Sequence, residues 1–207
     1  MSAYTNSYLE AHGLVFSFQP RAGSTSIRRA LMKAIGVELE HDRIHADQLH
    51  HLNRQAHDEL RVVADHAVTL VFVRDPAARL ESCYRHFFRN GRPAKKEQSL
   101  ARQLRMKPNE GSLRTFVERV AETPDEIANK HITSMTWNTP VWDEVFRFED
   151  GYEWDVVRKI AASRGLNLGP LGHHNKSPSY ASELDDDMRQ IIYQRYRADY
   201  EEFGYQP

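Results

Sequence analysis

Two short stretches carry the residue types best suited to chemistry. The first is Pro20-Arg21-Ala22-Gly23-Ser24-Thr25-Ser26, which sets one cation, one glycine and three hydroxyls between an apolar run and a helical pattern. Successive backbone N–H groups in such a turn, backed by a helix N-terminus, form a concave site for an anion. The preceding strand places it at the carboxyl edge of a sheet, where open α/β folds bind ligands. The second stretch is Arg74-Asp75-Pro76-Ala77-Ala78-Arg79-Leu80-Glu81-Ser82. Arg74 ends an apolar strand, where a guanidinium needs an anionic partner. Arg79 and Ser82 are three apart and share a helix face. Arg74 and Ser82 can then converge on a second anion. Two such sites on neighbouring strands suit a nucleotide with phosphates at two separate positions.

The first stretch is not a Walker A loop. That motif, GxxxxGK[ST], places Lys beside the hydroxyl that holds Mg²⁺. Here Ser24 follows Gly23, the cation Arg21 precedes the glycine, and Phe18 stands five residues upstream where a second glycine is required. The loop is sized for one tetrahedral anion.

The elements that must position these groups follow from periodicity. Residues 14–18 read as a strand. Ile27, Ala30, Leu31, Ala34 and Ile35 give one buried helix face, ended by Gly36. Residues 37–39 suit a short strand, and 41–61 is a polar, histidine-rich stretch with helical turns. The run 67–73 is apolar and β-branched, as in a strand covered on both faces. Asp75 and Pro76 then form the N-cap and first turn of a helix with the stripe Leu80, Cys83, Tyr84, Phe87 and Phe88. Residues 90–111 read as a basic loop. Ser112 caps a helix built on Leu113, Phe116, Val117 and Val120. Residues 145–148 alternate as a strand, 152–164 form a helix on Val156, Val157, Ile160 and Ala161, and 166–182 are loop. The last helix starts at Ser182 and buries Leu184, Met188, Ile191, Ile192 and Tyr196. Strands alternating with helices imply a three-layer, P-loop-like α/β fold with a central, mostly parallel sheet. At 207 residues the chain reads as a single domain, 1–207.

Bulk properties bound the function. Lys and Arg total 28 against 29 Asp and Glu, a net charge of −1, which argues against a nucleic-acid coat. Cys83 is the sole cysteine, so no internal disulfide forms and a reducing compartment is expected. No apolar run reaches the roughly 20 residues that span a bilayer, and residues 1–13 lack a signal-peptide pattern. A cytoplasmic protein with no transmembrane segment is expected.

The residues also carry a family resemblance. Pro20-Arg21-Ala22-Gly23-Ser24-Thr25-Ser26 after a strand resembles the 5′-phosphosulfate loop of the sulfotransferases. Phe72-Val73-Arg74-Asp75-Pro76, with Arg79, Leu80, Ser82 and Tyr84, resembles their 3′-phosphate motif. His45-Ala46-Asp47-Gln48-Leu49 is similar to the family's histidine segment, and Phe146-Arg147-Phe148-Glu149 to a later strand. Asn175-Lys176-Ser177 is similar to a late nucleotide-side loop, and the helix running into Asp199-Tyr200-Glu201-Glu202-Phe203 to the C-terminus. The likeness is nearest the bacterial and carbohydrate branch. It implies 3′-phosphoadenosine 5′-phosphosulfate (PAPS) as sulfuryl donor, its bisphosphate (PAP) as product, and a small-molecule, glycan or glycolipid hydroxyl as acceptor. Arg21 departs from the family, which usually has Lys there to stabilise the leaving phosphate. Arg keeps the charge but is larger and holds its proton.

Sulfuryl transfer needs in-line positioning and stabilisation of charge on the leaving oxygen. Arg21 and the N–H groups of the loop supply the second, and no metal is called for. A base is still needed. His45 matches the family's histidine, and its pKa class suits the task; His131 is the alternative. Ser24 has a plainer reading as a helix N-cap, and Arg79 as a partner of Glu81 or Asp75. Trp137 and Trp142 suit either an acceptor pocket or the core. Two further readings stay open: a P-loop-like nucleotide phosphotransferase and a non-catalytic binder of PAPS or PAP.

Overall fold

β1 (Asn6–Ala11) and β2 (Leu14–Phe18) form an antiparallel hairpin closed by His12 and Gly13. Both turn residues have positive φ, 57° and 70°, as the tightest hairpin turns require. β3 (Asn53–Gln55) extends the sheet on the far side of β1, while β4 (Val68–Val73) pairs with β2 in parallel and β5 (Glu144–Arg147) with β4 in parallel. The order is β3-β1-β2-β4-β5. This computed structural model describes residues 6–36, 53–55, 67–89, 98–107, 111–139, 141–172 and 181–207. They fall into two compact units, divided after Val73, before Thr139 and near residue 180.

The first unit is the sheet with its helices, the α/β architecture expected from the alternating pattern. Side chains alternate between faces along a strand. Leu14, Phe16, Phe18, Leu70, Phe72 and Phe146 line one face and pack against Ile27, Leu31 and Met32 of α1 (Ser24–Ala34). Phe16, Phe72 and Phe146 form an aromatic ladder across the parallel strands, with centroids 6.3 and 5.6 Å apart. Val15, Ser17, Thr69, Val71 and Val73 on the opposite face are equally buried, which is why these runs lack polar alternation.

The second unit is helical. α2 (Pro76–Tyr84) runs into one π turn (Arg85–Arg89), followed by α3 (Gln98–Gln103), α4 (Leu113–Ala121) and α5 (Met135–Asn138). The first unit's α6 (Trp154–Ser163) comes next in the chain, and α7 (Asp186–Arg195) and α8 (Arg197–Phe203) complete the second unit. Cys83, Phe87, Phe88, Phe116, Val117, Met188, Ile192 and Tyr196 share one core. No helix among the described residues is long and apolar enough to cross a membrane.

Three local expectations change, and a fourth is not tested. Residues 90–111 are not simply loop, because α3 lies within them and Leu100, Leu104 and Met106 enter the core. Val156 is 43 % exposed. The helix begins only at Trp154, so Trp154, Val157 and Ala161 hold the inward face and Val156 falls outside it. α7 starts at Asp186 rather than Ser182. Asp185 is the cap, its carboxylate accepting from Met188 N at 2.8 Å. Ser182 instead donates to the Glu81 carboxylate at 3.1 Å. The expected strand at 37–39 lies outside the described residues.

Candidate functional site: an anion cradle after β2

The cradle is a matter of backbone geometry. Ala22 N donates to Gln19 O at 3.2 Å, with Pro20 second and Arg21 third in the turn at φ 67°. Proline in that place followed by a positive φ is the signature of a type II turn, where Gly or Asn normally takes the third position. Arg21 occupies it at a cost of about 1–2 kcal/mol, and such strain persists only where surrounding contacts hold it. Some of those contacts are visible. Gln19 is fully buried, and its Nε2 donates to Thr139 Oγ1 at 2.6 Å, with Ser17 Oγ 2.6 Å from the same oxygen. The start of the turn is thereby pinned to the chain ahead of β5.

Gly23 then takes φ 66°, ψ 16° and caps α1. Ser24 is therefore the first helical residue, and its expected N-cap role passes to glycine. The N-cap glycine offers no side-chain cap and no acid occupies the first turn, so neither of these supplies the negative charge that commonly offsets the dipole. Ser26 N bonds back to Gly23 O at 3.0 Å. The Ser24 and Thr25 side chains are half-buried, and Ser26 is buried. A Cβ at position 23 would run into Tyr152 Oη and lie 3.2 Å from the Phe148 ring, so only glycine fits, on two counts. Tyr152, between β5 and α6, donates its hydroxyl to Ala22 O. Sequence reasoning missed Tyr152; only the adjacent Gly151 hinted at an unusual turn.

The second motif is built by side chains. Asp75 caps α2, its carboxylate accepting from Ala78 N at 2.7 Å, with Pro76 in the first turn. Such a cap is worth about 1 kcal/mol. Arg74 and Ser82 are half-buried, one before the helix and one within it. Arg79 does not share their setting. It is 1 % exposed, donates Nη2 to Thr133 O at 2.8 Å and lies 5.3 Å over the Tyr196 ring. Neither Glu81 nor Asp75 is its hydrogen-bond partner. Glu81 takes Arg85 at 2.7 Å and Glu183 N at 2.8 Å instead.

Around Arg79 the unit is held by buried charge. The Asp199 carboxylate accepts from Met135 N, Thr136 N and Thr136 Oγ1 at 2.8–2.9 Å, capping the short α5. Burial pushes its pKa up, against the pull of Arg79 and those hydrogen bonds. Asp125 goes the other way. Burial opposes it, but bonds from Arg195 and Ser134 hold it below the usual carboxylate value. Burial also drives the Tyr196 and Tyr200 phenols far up, so both stay protonated.

His131 is half-buried, with its ring centroid 4.7 Å from that of Phe87 and its backbone N–H donating to Asn129 Oδ1 at 3.1 Å. Trp137 is partly exposed on α5 and Trp142 half-buried before β5. His45, Asn175, Lys176 and Ser177 lie outside the described residues. The structure thus brings Pro20, Arg21, Ala22, Gly23, Ser24, Thr25 and Ser26 into one cradle. It sets Arg74 just ahead of α2 and Ser82 in the second half of that helix.

The comparisons accord with this geometry. No curated protein and no solved structure matches the chain. The family model described as "Sulfotransferase family" matches residues 8–159, more than half of the sequence. The match takes in the cradle, the Arg74–Ser82 motif and the strand at 144–147. By that match, the chain belongs to the sulfotransferase family.

Proposed function

We propose that this protein is a PAPS-dependent sulfotransferase acting on a hydroxyl of a carbohydrate or glycolipid. The observation that carries the reading is the cradle: a short turn with a leading cation opens a helix that has neither a side-chain cap nor an acid in its first turn. That donor set fits a sulfate or phosphate group and lacks the second glycine and lysine of a Walker loop. PAPS, when bound, supplies an activated sulfuryl group whose leaving group is a phosphate.

Arg21 and the N–H groups of Gly23, Ser24 and Thr25 would hold the 5′ oxygens and take up the charge that develops on the leaving oxygen, while Ser26 N bonds back to Gly23 O and closes the turn. Arg74 and Ser82 are assigned the 3′-phosphate on the motif resemblance, and Asn175, Lys176 and Ser177 the nucleotide side. His45 takes the acceptor's proton, with His131 as the alternative base. The arrangement asks for no metal, and the protein works in the cytoplasm as one domain. Arg21 in place of Lys favours one second reading, a non-catalytic binder of PAPS or PAP, since a larger cation that keeps its proton secures binding better than turnover.

Thermal melting with adenosine 3′,5′-bisphosphate and with ATP–Mg²⁺ tests the donor. At a hundredfold excess over Kd, the bisphosphate is expected to stabilise the protein by about 2.7 kcal/mol. Stabilisation by ATP–Mg²⁺ alone would instead support a phosphotransferase. Transfer of labelled sulfate from PAPS to a glycan and glycolipid panel separates enzyme from binder. His45→Ala and His131→Ala then assign the base, since only loss of the true base abolishes transfer without loss of bisphosphate affinity.

A further inference from the structure

We propose that Tyr152 is a positioning residue that sets the direction in which the cradle presents its Gly23 N–H, an assignment that rests on the cradle's holding the donor's 5′ group. The Tyr152 hydroxyl donates to the carbonyl of Ala22. That carbonyl belongs to the peptide unit whose other end is the Gly23 N–H. The unit is planar and trans, so its C=O and N–H point in opposite directions. Holding the carbonyl against the phenol therefore turns the N–H to the side away from it. The phenol also polarises the peptide, which strengthens that N–H as a donor.

The surroundings show how firmly the phenol is placed. Its ring is buried, edge-on to Phe72 at 5.6 Å and to Phe148 at 5.7 Å. Both Tyr152 and Glu153 adopt left-handed backbone, φ 60° and 44°, directly after Gly151 at 61°. Two consecutive L-residues in that region occur where surrounding structure imposes them. The connection between β5 and α6 holds this conformation while the phenol reaches Ala22. Tyr152 and Phe148 together fill the space a side chain at position 23 would need. One aromatic pair thus enforces glycine at 23 and fixes the orientation of the peptide before it.

Tyr152→Phe keeps the ring and removes only the hydroxyl, so it separates positioning from packing. Calorimetric binding is to be compared for adenosine 3′,5′-bisphosphate and adenosine 3′-monophosphate, which lacks the 5′ group. The variant is expected to lose about tenfold in affinity for the bisphosphate and less than twofold for the monophosphate. A purely structural role would weaken both alike, and that result, or no loss at all, overturns the assignment. Gly23→Ala gives a second reading. Its Cβ meets the phenol oxygen, so adding Tyr152→Phe is expected to recover part of the bisphosphate affinity that Gly23→Ala loses; strict additivity counts against the proposal. A wild-type protein that binds the bisphosphate no better than the monophosphate would instead refute the cradle as the 5′ site, and the Tyr152 assignment with it.

Discussion

The loop after β2 and the helix after β4 both begin at the carboxyl end of a parallel strand, yet different parts of the chain build them. The first is made by main-chain geometry: a type II turn with Arg21 left-handed, then left-handed Gly23 as a cap without a side chain at the head of α1. The second is made by side chains, with Asp75 capping α2 and Arg79 buried among Thr133 and Tyr196. Backbone N–H groups are present whatever the side chains, so the loop should tolerate changes at its hydroxyls and none at its glycine. A side-chain-built region has the opposite sensitivity, because each buried charge depends on a particular partner.

The harshest test of the side-chain half is Asp199→Ala. It leaves Met135 N and Thr136 N unpaired and removes the carboxylate near buried Arg79, so urea unfolding is expected to show a loss of about 3–5 kcal/mol. Gly23→Val is the matching test of the main-chain half. It adds a branched side chain at φ 66° where Tyr152 and Phe148 leave no room, and calorimetry should show bisphosphate affinity falling about a hundredfold or more. Arg74→Ala is expected to cost roughly tenfold to thirtyfold in the same measurement; unchanged affinity would refute the 3′-phosphate assignment.

Smaller effects sharpen the contrast. Asp125 is held below its ordinary value of 3.8 in the folded protein. The unfolded chain therefore binds that proton more readily, and the stability this group contributes is full above pH 3.8 and lost as pH falls through its lower folded value. Asp125→Asn should flatten the acid limb of a stability–pH curve below about pH 3.8. Ser24→Ala is expected to change bisphosphate affinity less than about threefold, since Gly23, not Ser24, caps α1. A larger loss would mean that the hydroxyl, rather than the main chain, carries the anion contact.

Where the chain is apolar, its sequence was readable. Residues 14–18 and 68–73 had to be strands because their length and β-branching suit a doubly covered sheet. Ser112, Asp75 and Pro76 announced their helices by local hydrogen-bonding chemistry. β1 was hidden because Asn6–Ala11 has no apolar alternation and is held by pairing on both sides. α3 was hidden because a few buried leucines sit within a basic stretch. Arg79 was misread because helical spacing gives a face but not what that face meets.

The sequence by itself determined the strand–turn–helix order, the cation and glycine of the cradle, and the second arginine motif, because each is a local pattern of residue types. Only tertiary structure could decide that Gly23 rather than Ser24 caps α1, that Arg21 sits in a left-handed turn, and that Tyr152 holds the Ala22 carbonyl. The last joins groups 130 residues apart in the chain, and Tyr152 and Phe148 also close the space at position 23; no local propensity encodes contacts of that range.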